Sequence, residues 1–466
     1  MQIITTNDRD DRDRTDAFAE LARRQARGEV IVPPTRLSHE ERRLHVRATL
    51  REDHQFRIQN RPEGAQAKFD KLAESAWDFF RGTALLFFRD IAGSDGHLPI
   101  VLATGDAHPE NFGVMPNEDG APFFGLNDFD EAHFAPFSWD LKRAAVGFYL
   151  AAREEGRKKK KCRKTVRSFL DGYFDGLLEF ARDDREKWHE FRIDNSPPMI
   201  RELLESSRTR RREFLDELID LKKGTFVSSD EIVAHSKRVK DFQKAIDHYR
   251  ESCDVPDTKR TGHFQVKDVA IKKGSGTASL GLDRFFVLID GPTEDHADDI
   301  VLEMKQTRRS ALYGLVPNHR SLDGGNGQSE GEMSGEAGRI VQSHQIHLVG
   351  GDPYYGETTL DERNFLVRER SPLKDDIDVD DLSHSELKEY ASICGRTLAI
   401  AHARCDEDTG LIEGDAEKEI LGSVNREVFT GDIVRFSECA VRRLRRDHRM
   451  FCKDHAAGAF EFIGGE

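Results

Sequence analysis

Two carboxylates and a carboxamide, Asp106, Asn111 and Asp128, have the types and spacing of a reaction site. The stretch Thr104-Gly105-Asp106-Ala107-His108-Pro109-Glu110-Asn111-Phe112-Gly113 is followed by Phe124-Gly125-Leu126-Asn127-Asp128-Phe129-Asp130-Glu131. Like charges a few Å apart raise each other's pKa, whereas Mg²⁺ takes hard oxygen ligands and removes the conflict. Phosphoryl transfer needs a carboxylate to orient the attacking hydroxyl, an Asn for one Mg²⁺, and an Asp that holds Mg²⁺ against nucleotide phosphates. Asp106, Asn111 and Asp128 supply these parts in that order, and Asp130 is a candidate for a second metal. His108 lies inside the same loop, where a backbone hydrogen bond suits it better than proton transfer.

These residues meet only if the chain turns back on itself. The apolar run Leu98 to Ala103 leads into Asp106, a short extended piece follows Asn111, and Asn117-Glu118-Asp119-Gly120 separates it from the apolar run Phe123 to Leu126. An Asp-Gly turn between two apolar runs predicts a hairpin. Its pairing brings the residues before its first strand close to those after its second, so Asp106, Asn111 and Asp128 converge.

Upstream, Phe69, Leu72, Ala76, Phe80, Ala84, Phe87 and Ile91 recur at helical steps and predict one long helix, with Arg81 in a surface ion pair and Gly82 marking close packing. Downstream, Pro136-Phe137-Ser138-Trp139-Asp140 opens a helical stripe through Ala152, with Lys158 to Lys161 as its solvated end. Residues 165–250 read as amphipathic helices. From about 255 the pattern changes to extended runs: Val266 to Ile271, then Gly274-Ser275-Gly276-Thr277-Ala278-Ser279-Leu280-Gly281, then Phe285 to Ile289, then Ile300 to Lys305. Two strands about a Gly-rich turn suit a flap over phosphates; a Rossmann fingerprint would need a helix after the glycines. His344 and His347 lack a third ligand at suitable spacing and read as helix-end packing.

Composition sets outer limits. The 466 residues suffice for two or more lobes, 34% are charged, and the net charge is −15, which disfavours nucleic-acid or anionic-membrane partners recruited by overall charge. Six cysteines without a C-x-x-C pair suit reduced thiols. The polar, acidic beginning MQIITTNDRDDRDRTD and the lack of a long apolar run point to a cytoplasmic protein.

Asp106-x-x-x-x-Asn111 with Asn127-Asp128-Phe129 resembles the catalytic and metal-binding loops of the protein-kinase-like fold, especially its aminoglycoside-phosphotransferase branch. GDAHPENFG, NDFDE, SWDLKRAA, FFRGTA and the later LAIAHAR are similar to the uncharacterised bacterial family catalogued as domain of unknown function 2252, over patches of roughly residues 60 to 460. The resemblance implies a two-lobed α+β fold binding ATP and Mg²⁺, with Gly274, Ser275, Gly276, Thr277 and Gly281 over the nucleotide. It implies that Lys305 contacts the phosphates and pairs with a Glu of the next helix; Glu336 is preferred to Glu330 and Glu332 because it joins a helical pattern. It gives Asp140 the task of hydrogen-bonding the catalytic loop's backbone, against the plainer reading of a negative charge at a helix N-terminus. Arg368 and Lys374 match basic positions of the family.

In the resembled fold a helix like Leu387 to Cys405, ending in Ala-His-Ala-Arg, immediately precedes the catalytic loop, and here it follows by some three hundred residues. The order implies a circular permutation. The expected parts are a charged helical extension (1–60), a catalytic helical part with the hairpin (61–254), a β-rich nucleotide-binding part (255–372) and helices completing the catalytic lobe (373–466). The function this supports is an ATP- and Mg²⁺-dependent phosphotransferase acting on a small hydroxylated acceptor. Two alternatives stand beside it: a nucleotide-binding pseudokinase or AMP-transferring enzyme on the same fold, and a metal-dependent phosphohydrolase using Asp106, His108, Asp128 and Asp130.

Overall fold

The computed structural model describes residues 14–252, 262–273, 281–316, 335–373, 375–407 and 409–461. The strands among those residues are β1 (Ile100–Ala103), β2 (Phe112–Pro116), β3 (Pro122–Leu126), β4 (His133–Pro136), β5 (Ile219–Asp220), β6 (Thr225–Phe226), β7 (Ile232–Ala234), β8 (Val266–Lys272), β9 (Arg284–Ile289), β10 (Ile300–Gln306), β11 (Gly356–Leu360) and β12 (Arg363–Glu369). With the helices around them they make an α+β fold.

Six strands form one antiparallel sheet in the order β11-β12-β10-β9-β8-β7. Side chains alternate across a sheet with a period of two, and here the two faces differ in chemistry. Phe285, Val287, Leu302, Met304, Phe365 and Val367 point to one side, where helix Val239–Ser252 covers them with Phe242, Ile246 and Tyr249. The other side is apolar at one end, where Phe286, Leu288 and Val301 pack under Leu215, Ile219 and Phe226. Toward the other end it carries Lys272, Arg284, Glu303, Lys305 and Arg368. Residues from about 211 to 252 are therefore packed on the sheet, and the β-rich part begins earlier than the expected residue 255.

The remaining helices enclose a second, larger core. Helix Phe137–Glu154 is buried along nearly its whole length. Helices Lys159–Asp183 and His384–Ala403 cross with their backbones almost touching: a Cβ on Gly172 would lie 2.0 Å from the Ser392 carbonyl oxygen, and one on Gly395 2.0 Å from that of Phe169. The basic run at 158–161 opens the second of these three helices instead of ending the first, with Lys159 and Arg163 both on Glu438.

Two further expectations are corrected. The segment before residue 60 is helical as expected but is built into the body of the protein: Phe18 and Ala22 join the main core, and buried Arg42 pairs with Asp90 at 2.5 Å and Asp447 at 2.7 Å. The helix expected through Ile91 is three helices, Pro62–Glu74, Ala76–Arg81 and Ala84–Ile91. Ser75 is extended (φ −147°, ψ 159°) and caps the second by accepting from Asp78 N–H. Gly82 follows it, where a Cβ would meet Leu72 Cδ2 at 2.3 Å and Lys68 Nζ at 2.7 Å, so a larger residue at the break must displace those side chains. The apolar repeat runs across these breaks while serving two cores: Phe69 and Leu72 pack with Phe79 and Leu86 in a smaller cluster, and Ala76, Phe80, Ala84, Phe87 and Ile91 join the larger one.

The five cysteines among the described residues are free thiols. No helix among those residues is long and apolar enough to cross a membrane.

Candidate functional site

The hairpin forms, β2 pairing antiparallel with β3 from Phe112↔Leu126 to Pro116↔Pro122. Its turn is closed by Asn117 Oδ1, which accepts from Asp119 and Ala121 N–H. At the hairpin's open end Asn127 N–H donates to Asn111 O at 3.2 Å. A second pairing, β1 with β4, sets Ala103 opposite His133. The two connections, 104–111 and 127–132, therefore emerge side by side. Gly105 (φ +76°) lets them close, because a Cβ there would lie 2.2 Å from Glu131 O.

Asp106 is held from behind. Its Oδ1 accepts from Arg143 Nε at 2.7 Å, and the fully buried Arg143 guanidinium also donates to Phe80 O at 2.9 Å and lies 3.8 Å from the Phe80 ring centre. Asn111 Nδ2 donates to Asp106 O at 2.7 Å, which leaves the Asn111 carbonyl oxygen as its accepting end. His108 Nε2 lies 3.8 Å from Asp106 Oδ2, while burial against Trp77 and Phe80 pushes its pKa well below the ordinary histidine value and keeps the ring neutral.

Asp140, in the first turn of helix Phe137–Glu154 and fully buried, accepts from Thr104 N–H at 2.7 Å, Thr104 O–H at 3.0 Å and Gly105 N–H at 2.9 Å. Its carboxylate thus fixes the backbone that presents Asp106. His402, near the end of helix His384–Ala403, adds Nε2–H at 3.2 Å, and Tyr173 O–H meets its Nδ1 at 2.8 Å. The neighbouring Arg404 donates to three carbonyls, those of Glu186, His347 and His189.

Asp128 and Asp130 sit together. Asp128 Oδ1 accepts from Asp130 N–H at 3.1 Å. Burial and the Asp130 carboxylate push Asp128 up, against the pull of Lys305 and Arg368. Burial acts on Asp130 too, but Lys305, in direct contact with it, and Arg308 outweigh it and hold that carboxyl down. Lys305 reaches across from β10 and pairs with Asp130, not with Glu336. Glu336 instead pairs with Arg339 one turn along its own helix, at 2.9 Å. Arg339 donates onward to Asp130 O and Ala132 O, so that helix holds the 128–132 loop through its arginine. Arg308 braces the same loop through Glu131 and Asp53.

A cavity of 480 Å³ separates the charged sheet face from the hairpin. Asp106, His108, Asn111, Asp128 and Lys305 all line it, as do Arg81 and Arg368. Arg81 makes its ion pair there, with Glu110 at 2.6 Å. Asp130 lines a small adjoining recess with Glu131 and Arg308. Gly281 (φ +83°) packs on Gly64 of helix Pro62–Glu74 and does not line the cavity. Gly274, Ser275, Gly276, Thr277, Glu330, Glu332 and Lys374 lie outside the described residues. His347 sets its ring nitrogens on Ser343 O and Leu102 O, and His344 stacks on Tyr355.

Among the described residues no three His, Cys, Asp or Glu side chains are grouped to hold a metal. Asn111 and Asp128 still fit Mg²⁺, which keeps several waters and is held by one or two protein oxygens plus substrate phosphates. A buried carboxylate pushed up by a second one gains from such a cation.

Arg143 escaped the sequence reading, although it stands three residues after Asp140, a spacing that places both on one helix face toward the catalytic loop. Arg308, Glu131 and Glu303 lacked any local signal, since each is defined by a partner distant in the chain.

A family model described as an uncharacterised protein conserved in bacteria, DUF2252, matches residues 60–454, and the chain belongs to that family. No curated protein matches the chain, and no solved structure does.

Proposed function

We propose that this member of the DUF2252 family transfers a phosphoryl group from ATP to a hydroxyl of a small acceptor, with Mg²⁺, on a circularly permuted protein-kinase-like fold. One observation carries the reading. Lys305, from the sheet, faces Asp106, Asn111 and Asp128, from the hairpin, across a single cavity, although almost two hundred residues separate them.

Each side chain has a task its surroundings suit. Arg143 pins one oxygen of Asp106 and leaves Oδ2 to accept the acceptor hydroxyl's proton as the hydroxyl oxygen attacks the γ-phosphorus and the bond from that phosphorus to ADP breaks, with ADP leaving. Lys305 brings positive charge to the phosphates, and its contact with Asp130 keeps the ammonium directed at the cavity. Asn111 and Asp128 would hold Mg²⁺, which when bound neutralises charge on the phosphates. Asp140 keeps the Thr104–Gly105 backbone, and so Asp106, in place. The contact between His402 and Asp140 supports the permuted order: the late helix ends beside the early catalytic loop. The phosphohydrolase reading draws less support, because Asp106 and Asp130 are each engaged by a cationic side chain.

Thermal unfolding with and without MgATP tests this. A ligand at about 100 times its Kd stabilises by ~2.7 kcal/mol. The wild type should show a Mg²⁺-dependent shift that Asp128→Ala and Lys305→Ala abolish, and mass spectrometry of products should show a gain of one phosphoryl group and not of AMP. No shift at millimolar MgATP would sink the proposal.

A further inference from the structure

The charged face of the sheet continues past the residues used above. On β10, Glu303 and Lys305 face the cavity; Arg284 stands opposite Lys305, and Arg368 opposite Glu303. Arg370 extends the same register, its N–H donating to Val301 O at 2.8 Å, so the period of two sets it on the face of Arg368 and Glu303. Both arginines line the cavity.

Three guanidiniums gather here, and two of them share one carboxylate. Glu303 Oε2 accepts Nε and Nη2 of Arg368, both at 2.8 Å, and Oε1 lies 3.3 Å from Arg284. Among the described residues no carboxylate lies within ion-pair distance of the half-buried Arg370 guanidinium, and it donates no hydrogen bond. Asp352, the next carboxylate on the cavity wall, accepts Tyr354 N–H with one oxygen and Glu369 N–H with the other. Burial lowers the Arg370 pKa below its ordinary value, and Arg368 and Arg284 add to that against the pull of Glu303. A crowded cation of this kind is costly without a counter-charge and gains most from a ligand that brings one.

We propose that Arg370 and Arg368, the latter oriented by Glu303, form an oxyanion subsite in the cavity that takes a phosphate or carboxylate group of a bound ligand. The planar forks of two arginines match either group in bidentate fashion. The Arg370 end of the subsite is set apart from Lys305: the position opposite Arg370, Val301, lies four steps along β10 from Lys305, a strand distance of ~13 Å, with Arg368 opposite Glu303 between them. A ligand lying along the sheet is therefore anionic at this end whatever is held at Lys305. The assignment does not rest on the phosphotransferase reading.

Calorimetric titration of the full chain with inorganic pyrophosphate, without divalent metal, tests the site. The wild type should bind it, more weakly as salt rises. Arg370→Ala should weaken it by about tenfold or more, Arg370→Lys should recover part of the loss, and Lys305→Ala should leave the subsite's affinity within about threefold. Malonate in a parallel titration tells a carboxylate preference from a phosphate one. Three results would overturn the proposal: no binding by the wild type, loss in Lys305→Ala with Arg370→Ala unchanged, or adenosine in place of pyrophosphate as the ligand that Arg370→Ala weakens, which would make Arg370 a stacking partner for a base. Arg370→Lys keeps the test valid if the alanine variant misfolds. Because MgATP stabilisation is measured apart, loss of that reading leaves this one standing, and the reverse holds.

Discussion

Replacing Asp140 probes the join between the late helices and the catalytic loop. Its Oδ2 takes Thr104 N–H, Thr104 O–H and His402 Nε2–H, and Oδ1 takes Gly105 N–H. In Asp140→Asn the side-chain oxygen fits best at the Oδ2 position, where it keeps three partners. The new NH₂ then faces Gly105 N–H, donor against donor. One buried donor left unsatisfied costs ~1–3 kcal/mol. Asp140→Ala strands the N–H groups of Thr104 and Gly105 together with His402 Nε2–H, so its cost should exceed that of the asparagine variant by ~2 kcal/mol or more. Urea unfolding would give both values. Hydrogen exchange would locate the effect, since the Thr104 and Gly105 amides should lose more protection than amides in the six-stranded sheet. A double-mutant cycle with His402→Leu should show coupling of ~0.5–3 kcal/mol. An alanine variant within ~0.5 kcal/mol of the wild type, or equal protection changes in the sheet, would refute the argument.

Other predictions follow from buried charge and close backbone contact. Because the native state raises the Asp128 pKa, its charge destabilises the fold fully above that raised value and not at all below the ordinary carboxylate value near ~3.9. Asp128→Asn should therefore raise stability at pH 7, lose that advantage as the pH falls toward 4, and abolish the MgATP shift; equal stabilities at pH 7 would count against it. Arg308→Ala leaves Glu131 and Asp53 buried without their partner and should cost ~3–5 kcal/mol in urea unfolding, much of it recovered when Glu131→Gln is added. A helical Gly→Ala change ordinarily stabilises by ~1 kcal/mol, but at Gly172 or Gly395 the new Cβ would strike a carbonyl oxygen of the facing helix. Each should instead lower Tm, with overpacking of ~1–3 kcal/mol.

What the chain determines locally was legible before any tertiary structure. The β2–β3 hairpin followed from Asn117 to Gly120 between two apolar runs, β8 to β10 from extended apolar runs, and helix His384–Ala403 from its stripe, because turn chemistry and apolar patterning are properties of a few adjacent residues. The convergence of Asp106, Asn111 and Asp128 came with the hairpin. Tertiary packing alone decided the rest. A periodic apolar face says that residues are buried but not whether they enter one core or whether the backbone between them is continuous, so the breaks at Ser75 and Gly82 stayed hidden behind an unbroken repeat. Ion pairs are chosen by proximity in space: Lys305 took Asp130 because the sheet faces the hairpin, Glu336 took the arginine one turn away, and Arg308 joined Asp53 to Glu131 across the fold. The segment before residue 60 read as a charged helical extension, yet Arg42 is buried between Asp90 and Asp447, the second from the far end of the chain, and a burial of that kind leaves no mark in local sequence.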